Sequence, residues 1–254
     1  MHVLVVTAVP AERDAVTRAF GSGRPGADHS GNDSSGVGAS GGGAEASVFH
    51  VRGAEVHRAG PFDVLAGGVG PAAAAASTAF ALASDRYDLV ISAGIGGGFA
   101  GVAPVGSLVV AGRVVVADLG AETPEGFVPV TGLGFGQVLH IPPRSLVRAA
   151  AAATGAVTGT VLTVSTVTGS AGRAAALLAA HPGAAAEAME GFGVAEAADL
   201  AGLPVLEIRA VSNAVGPRDR DAWRIGDALA ALTDAFGKLA PVLEGWIHHD
   251  RNDS

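Results

Sequence analysis

The chain contains no cysteine, which excludes disulfides, thiolate metal sites and a cysteine nucleophile, and fits a reducing compartment. Aromatic residues supply only 5% of it, although 49% is hydrophobic. The apolar surplus is alanine, valine and glycine, which predicts tightly packed layers built from small side chains. Basic residues are also short: 16 Lys and Arg against 24 Asp and Glu leave a formal charge of −8. No broad basic surface is available to neutralise phosphates, so nucleic acid is not an expected partner.

Charge is missing altogether from Val64 to Ser84 and from Leu89 to Gly112. Either stretch is long enough to raise the question of a membrane span. Glycines, Pro71 and Pro104 punctuate both, a pattern that suits strand, turn and helix rather than one continuous helix. The opening MHVLVVTAVPAER has no basic run and is cut short by Pro10 and Glu12, unlike a signal peptide. The expectation is a cytoplasmic protein with no membrane partner.

What is present alternates. Strands are predicted at the β-branched apolar run His2 to Ala8 and at Ser47 to Arg52, Ala54 to Arg58, Phe62 to Gly68, Asp88 to Ala93, Val105 to Asp118, Gly159 to Val164, Ala184 to Ala188 and Pro204 to Ser212. Helices are predicted at Pro10 to Phe20, Pro71 to Ala83, Pro143 to Ala153, Ala171 to Ala180, Glu190 to Ala201 and Ala222 to Trp246. Gly94 to Gly98 reads as a glycine loop. Gly21 to Gly43, with almost nothing to bury, reads as a flexible Gly/Ser-rich insertion. The predicted fold is one domain over residues 1–254, a three-layer α/β/α sandwich with a mixed central sheet. In such sheets ligands bind at the carboxyl ends of strands. The notable polar residues gather there: Glu12, Met189-Glu190 and Ser212-Asn213.

Some pattern matches lead nowhere. Gly96 to Gly101 satisfies G-x-G-x-x-G, but a strand follows where the dinucleotide fingerprint needs a helix. Gly38 to Gly42 satisfies G-x-S-x-G inside the Gly/Ser tract, far from any strand-turn-helix. His248-His249-Asp250 reads as a solvated tail before it reads as a metal site.

Four segments in order carry more weight: Ala8-Val9-Pro10-Ala11-Glu12, Ser92 to Gly98, Glu187-Ala188-Met189-Glu190-Gly191 and Arg209-Ala210-Val211-Ser212-Asn213. Together they resemble the 5′-methylthioadenosine/S-adenosylhomocysteine nucleosidases of the nucleoside phosphorylase superfamily, over nearly the whole chain outside the insertion. Two departures select within that group. Those nucleosidases carry Asp where this chain has Asn213, and Glu where it has Ala188. The stretch Ser212 to Arg220 with Trp223 and Ile225, and Thr166-Val167-Thr168-Gly169, look instead like the futalosine hydrolase family. That resemblance implies release of hypoxanthine from futalosine in a route to menaquinone, without metal or cofactor, by a homo-oligomer.

The resemblance also implies roles. Glu12 activates the attacking water and Asn213 steadies the leaving base. Glu190 holds ribose hydroxyls beside Met189. Ile95 and Gly96 line the ribose side, Val167 and Thr168 flank the purine, and Ser212 belongs to the same site. The chemistry of the base agrees with Asn213. Adenine leaves well only when N7 is protonated, whereas hypoxanthine can carry charge on its 6-oxo group and needs only a donor. Ordinary readings stand beside these: an Asn closing a turn, a Glu favouring a helix terminus, an exposed capping Glu. Arg218 or Arg220 is expected on the carboxylate at the far end of the substrate. A methylthioadenosine-type nucleosidase, a phosphorylase and a non-catalytic nucleoside-binding module are the rivals.

Overall fold

A computed structural model describes residues 2–21 and 46–250, without the side chains of 247–250. The stretch expected as an insertion, beyond Gly21, lies outside the described residues, as do the side chains of His248, His249 and Asp250. Residues Val3–Thr7 form β1, and Pro10 opens α1 (Pro10–Gly21) at the first helical turn, where its missing N–H is no loss. An antiparallel meander follows, β2 (Ser47–Val51), β3 (Ala54–Ala59) and β4 (Phe62–Ala66), then the alanine-rich α2 (Pro71–Ser84). Two long strands come next, β5 (Leu89–Gly98) and β6 (Leu108–Val116).

Between β6 and the next helix, where the sequence pattern predicts neither strand nor helix, lie a hairpin, β7 (Gly120–Thr123) and β8 (Gly126–Pro129), a short 3-10 turn at Val130–Leu133, and β9 (Leu139–His140). These strands are too short to show alternation in sequence. The chain continues through α3 (Arg144–Thr154), β10 (Val157–Thr163), α4 (Ala171–Ala180), β11 (Ala184–Ala188), α5 (Gly191–Leu200), β12 (Val205–Ala214) and α6 (Ile225–Asp250). No described helix is long and apolar enough to cross a membrane.

The main sheet has ten strands in the order β11-β10-β6-β12-β5-β1-β4-β3-β2, with β9 on β6. It is mixed: β1 runs parallel to β4 and β5, whereas β12 is parallel to β5 and antiparallel to β6. Side chains alternate across it. Leu4 and Val6 join a core with α2 and α5, while Val3 and Val5 join one with α1, α3 and α6. Helices therefore cover both faces, as the sandwich requires. Leu232, Phe236, Leu239 and Leu243 of α6 are wholly buried, each worth roughly 1.5–3 kcal/mol relative to exposure.

One expectation is corrected. Gly94 to Gly98 is not a loop but the end of β5, paired with β12 through a register shift between Val211 and Asn213. Glycine permits this because the space beside the strand is already filled. A Cβ on Gly98 would lie 2.0 Å from the Ala103 carbonyl oxygen, and one on Gly94 would meet Glu12 Oε1 and Arg209 Nη1. The same end of β5 pairs antiparallel with β11, so this part of the sheet curls and closes. The carboxyl ends of β1, β5, β11 and β12 are thereby drawn together.

Candidate active site

A cleft of about 350 Å³ opens where those strands end. Ala8, Val9 and Glu12 come from the β1–α1 junction, and Ile95, Gly96 and Gly97 from β5. Val167 and Thr168 come from the turn before α4, and Glu187 to Glu190 from β11 and its exit. Ser212 and Asn213 of β12 follow, then Arg218 and Trp223. Every site residue expected from the sequence lines this cleft except Arg220, which lies in a short exposed 3-10 turn.

Glu12 is only 4% exposed. Its Oε2 accepts hydrogen bonds from the N–H groups of Ala8 (2.9 Å) and Val9 (3.3 Å), and its Oε1 from Ile95 (2.8 Å). Its place in the first turn of α1 lets the helix dipole favour the ionised form. Burial outweighs the backbone donors and the charge of Arg209, and pushes its pKa above the ordinary 4.5. That places the carboxylate closer to the range of a working base.

Glu190 could have been an exposed cap, since it sits at the N-terminus of α5. It is 5% exposed and makes no capping bond with its side chain. Its oxygens accept from the N–H groups of Gly70 (3.2 Å) and Met189 (3.3 Å) and from Arg209 Nη1 (3.3 Å). Asn213 is half-buried. Its Oδ1 accepts from Ser212 Oγ (2.9 Å), which orients the amide, and its Nδ2 donates to the Ala214 carbonyl (3.0 Å).

The sequence motifs assign no role to Arg209 or Glu207, yet both stand behind the site. Arg209 is wholly buried, with Nε on Glu207 (2.9 Å), Nη1 on Glu190 and Nη2 on Ser92 Oγ (2.9 Å). Burial pulls its pKa down, but Glu207, Glu190 and Glu12 together push it up more strongly, so the guanidinium stays charged. Glu207 is wholly buried, its Oε2 has no partner, and burial raises its pKa. The signal was legible: two charged residues at i and i+2 on one side of an otherwise apolar strand. Such a pair persists in a core only when it is held internally.

Arg13, next to Glu12 in sequence, points elsewhere. It pairs with Glu55 (2.6 Å) and Asp14 (2.9 Å) and does not line the cleft. Arg218 is the cation in the lining, stacked over Trp223 at 5.5 Å. One grouping of potential metal ligands occurs among the described residues, His2, Asp63 and Asp85, at the other end of β1. Arg58 already bridges both aspartates there (2.7 and 2.8 Å).

The class follows from this fold and cleft together with a match of the phosphorylase superfamily model to residues 3–244. Futalosine hydrolase of Streptomyces coelicolor is 63% identical over 257 residues, covering 99% of this chain and 100% of that protein. Futalosine hydrolase of Acidothermus cellulolyticus is 42% identical over 242 residues, covering 93% of this chain and 89% of that one. The chain therefore belongs to the futalosine hydrolase family within the phosphorylase superfamily. The structure of a futalosine hydrolase of Helicobacter pylori shares the fold, with a TM-score of 0.76 at 15% identity, covering 95% of this chain and 98% of that one.

Proposed function

We propose that this chain hydrolyses the N-glycosidic bond of futalosine, giving hypoxanthine and dehypoxanthine futalosine. The observation that carries the chemistry is the meeting of Glu12, Glu190 and Asn213 in one cleft, with the neighbouring Arg13 tied up by carboxylates. A phosphorylase needs a free cation to hold phosphate against the sugar, and a buried carboxylate in its place repels the anion.

The C1′–N9 bond breaks through an oxocarbenium-like state, its electron pair leaving on the purine. Glu190 orders the ribose hydroxyls, and Arg209 holds Glu190 in turn. Glu12 takes a proton from water as its oxygen adds to C1′ on the face opposite the base. Asn213 donates to the departing hypoxanthine, which is released after taking up a proton. Base on one side and donor on the other is the logic of inverting glycoside hydrolysis, used by analogy. Arg218 takes the benzoate carboxylate at the far end of futalosine, with Trp223 as an aromatic wall.

The enzyme works in the cytoplasm as a homo-oligomer. Exposed Phe127, Leu133 and Phe135, on β8 and the turn after it, support self-association. The experiment is to incubate purified protein with futalosine, methylthioadenosine and inosine and follow base release. Rapid hypoxanthine release from futalosine is expected, with methylthioadenosine far slower. Preference for methylthioadenosine would overturn the assignment.

A further inference from the structure

The mechanism leaves one buried carboxylate in the cleft unused. Glu187 is 6% exposed and lines the cavity. Its Oε1 accepts from the Thr168 N–H (2.8 Å) and its Oε2 from the Thr168 hydroxyl. The group is thus fixed as an acceptor, and each oxygen keeps a further lone pair.

Its place in the sheet matters. Glu187 pairs with Gly97 of β5, and Gly97 pairs on its other side with Asn213 of β12. A Cβ on Gly97 would come within 3.2 Å of Asn213 Nδ2. An acceptor and an amide donor therefore stand on either side of one bare glycine, in the wall of the same cleft. A 6-oxopurine presents the matching edge: N1–H donates, while O6 and N7 accept. Adenine reverses it, with an unprotonated N1 and a donating 6-amino group.

We propose that Glu187 is a specificity-determining residue that accepts the N1–H of hypoxanthine while Asn213 donates to the O6/N7 edge. This rests on the proposed hypoxanthine-releasing function and names how that site selects its base. Binding a purine strips water from the carboxylate. A ligand without an N1–H leaves it short of a donor, and adenine opposes it with a lone pair. Sites built to hydrogen-bond one group reject analogues lacking it far better than apolar pockets reject size differences. A carboxylate that merely ordered the Thr168 turn would affect all substrates alike.

The test compares kcat/KM for futalosine and its 6-amino analogue in wild type and Glu187→Gln, and binding of hypoxanthine against 1-methylhypoxanthine by calorimetry. Wild type is expected to bind the methylated base at least about tenfold more weakly, the loss of one charge-assisted hydrogen bond. Glu187→Gln is expected to lower the 6-oxo to 6-amino ratio by roughly tenfold or more and to narrow the gap between the two bases. An unchanged ratio in Glu187→Gln, or equal binding of the two bases by wild type, would overturn the proposal. If the variant fails to fold, the wild-type comparison of bases decides alone. A wild-type protein inactive on futalosine would contradict the proposed function instead, while the base-binding comparison would still decide the role of Glu187.

Discussion

At the scale of single residues, the behaviour of Glu12 follows from competition between burial and three backbone donors. Its carboxylate must be ionised to take a proton from water, yet burial favours the neutral form. Activity should therefore fall on the acid side as Glu12 gains its proton, with the limb of the kcat/KM profile above pH 4.5 rather than at it. A profile flat down to pH 4.5 would remove Glu12 as the base. Glu12→Gln cannot accept that proton and should lose about 10²–10⁴ in kcat, read by steady-state hypoxanthine release. A variant keeping half the wild-type kcat would contradict the role.

Arg218 poses a separate residue-scale question, because a cation stacked on a half-buried aromatic at the rim of a cleft can be ordinary surface. If it binds the substrate carboxylate, Arg218→Ala should raise KM for futalosine by roughly tenfold or more. Inosine, lacking that group, should be little affected. Arg220→Ala, outside the cleft, serves as the control. Equal effects of Arg218→Ala on both substrates would place the carboxylate elsewhere.

At the scale of elements, the end of β5 decides how the cleft is built. Its glycines read as a loop in sequence because glycine usually marks one. Here they stay in the sheet, where neighbouring backbone and the Glu12 and Arg209 side chains leave no room for a Cβ. Sequence alone shows the glycines but not the neighbours that require them. The two central positions should respond differently to alanine. Gly98→Ala would drive Cβ into the Ala103 backbone and should cost about 1–3 kcal/mol or more. At Gly97 the obstacles are the side chains of Val215 and Asn213. Gly97→Ala should therefore fold nearly as well but turn over more slowly, through displaced Asn213. Thermal melts and kcat together check the pair; equal Tm losses would show that the two glycines do one job.

At the scale of the whole molecule, the alternation of strands and helices was legible, and so was most of the cleft. Those residues stand at the ends of strands whose hydrophobic patterns were clear, and the sandwich brings such ends together. The closing of β11 onto β5 was not legible, since pairing of strands distant in sequence leaves no local periodicity. Of the buried Arg209 network only the Glu207–Arg209 pair on β12 was legible; its other partners, Glu190 and Ser92, come from other segments. Within that architecture the identity of the nucleophile separates hydrolysis from phosphorolysis, the reaction that names the superfamily. The most direct test is to run the futalosine reaction in concentrated phosphate and identify the sugar product by mass spectrometry. Dehypoxanthine futalosine with a free anomeric hydroxyl is expected, formed at a rate independent of phosphate. A sugar 1-phosphate product, or a rate that rises with phosphate, would contradict hydrolysis.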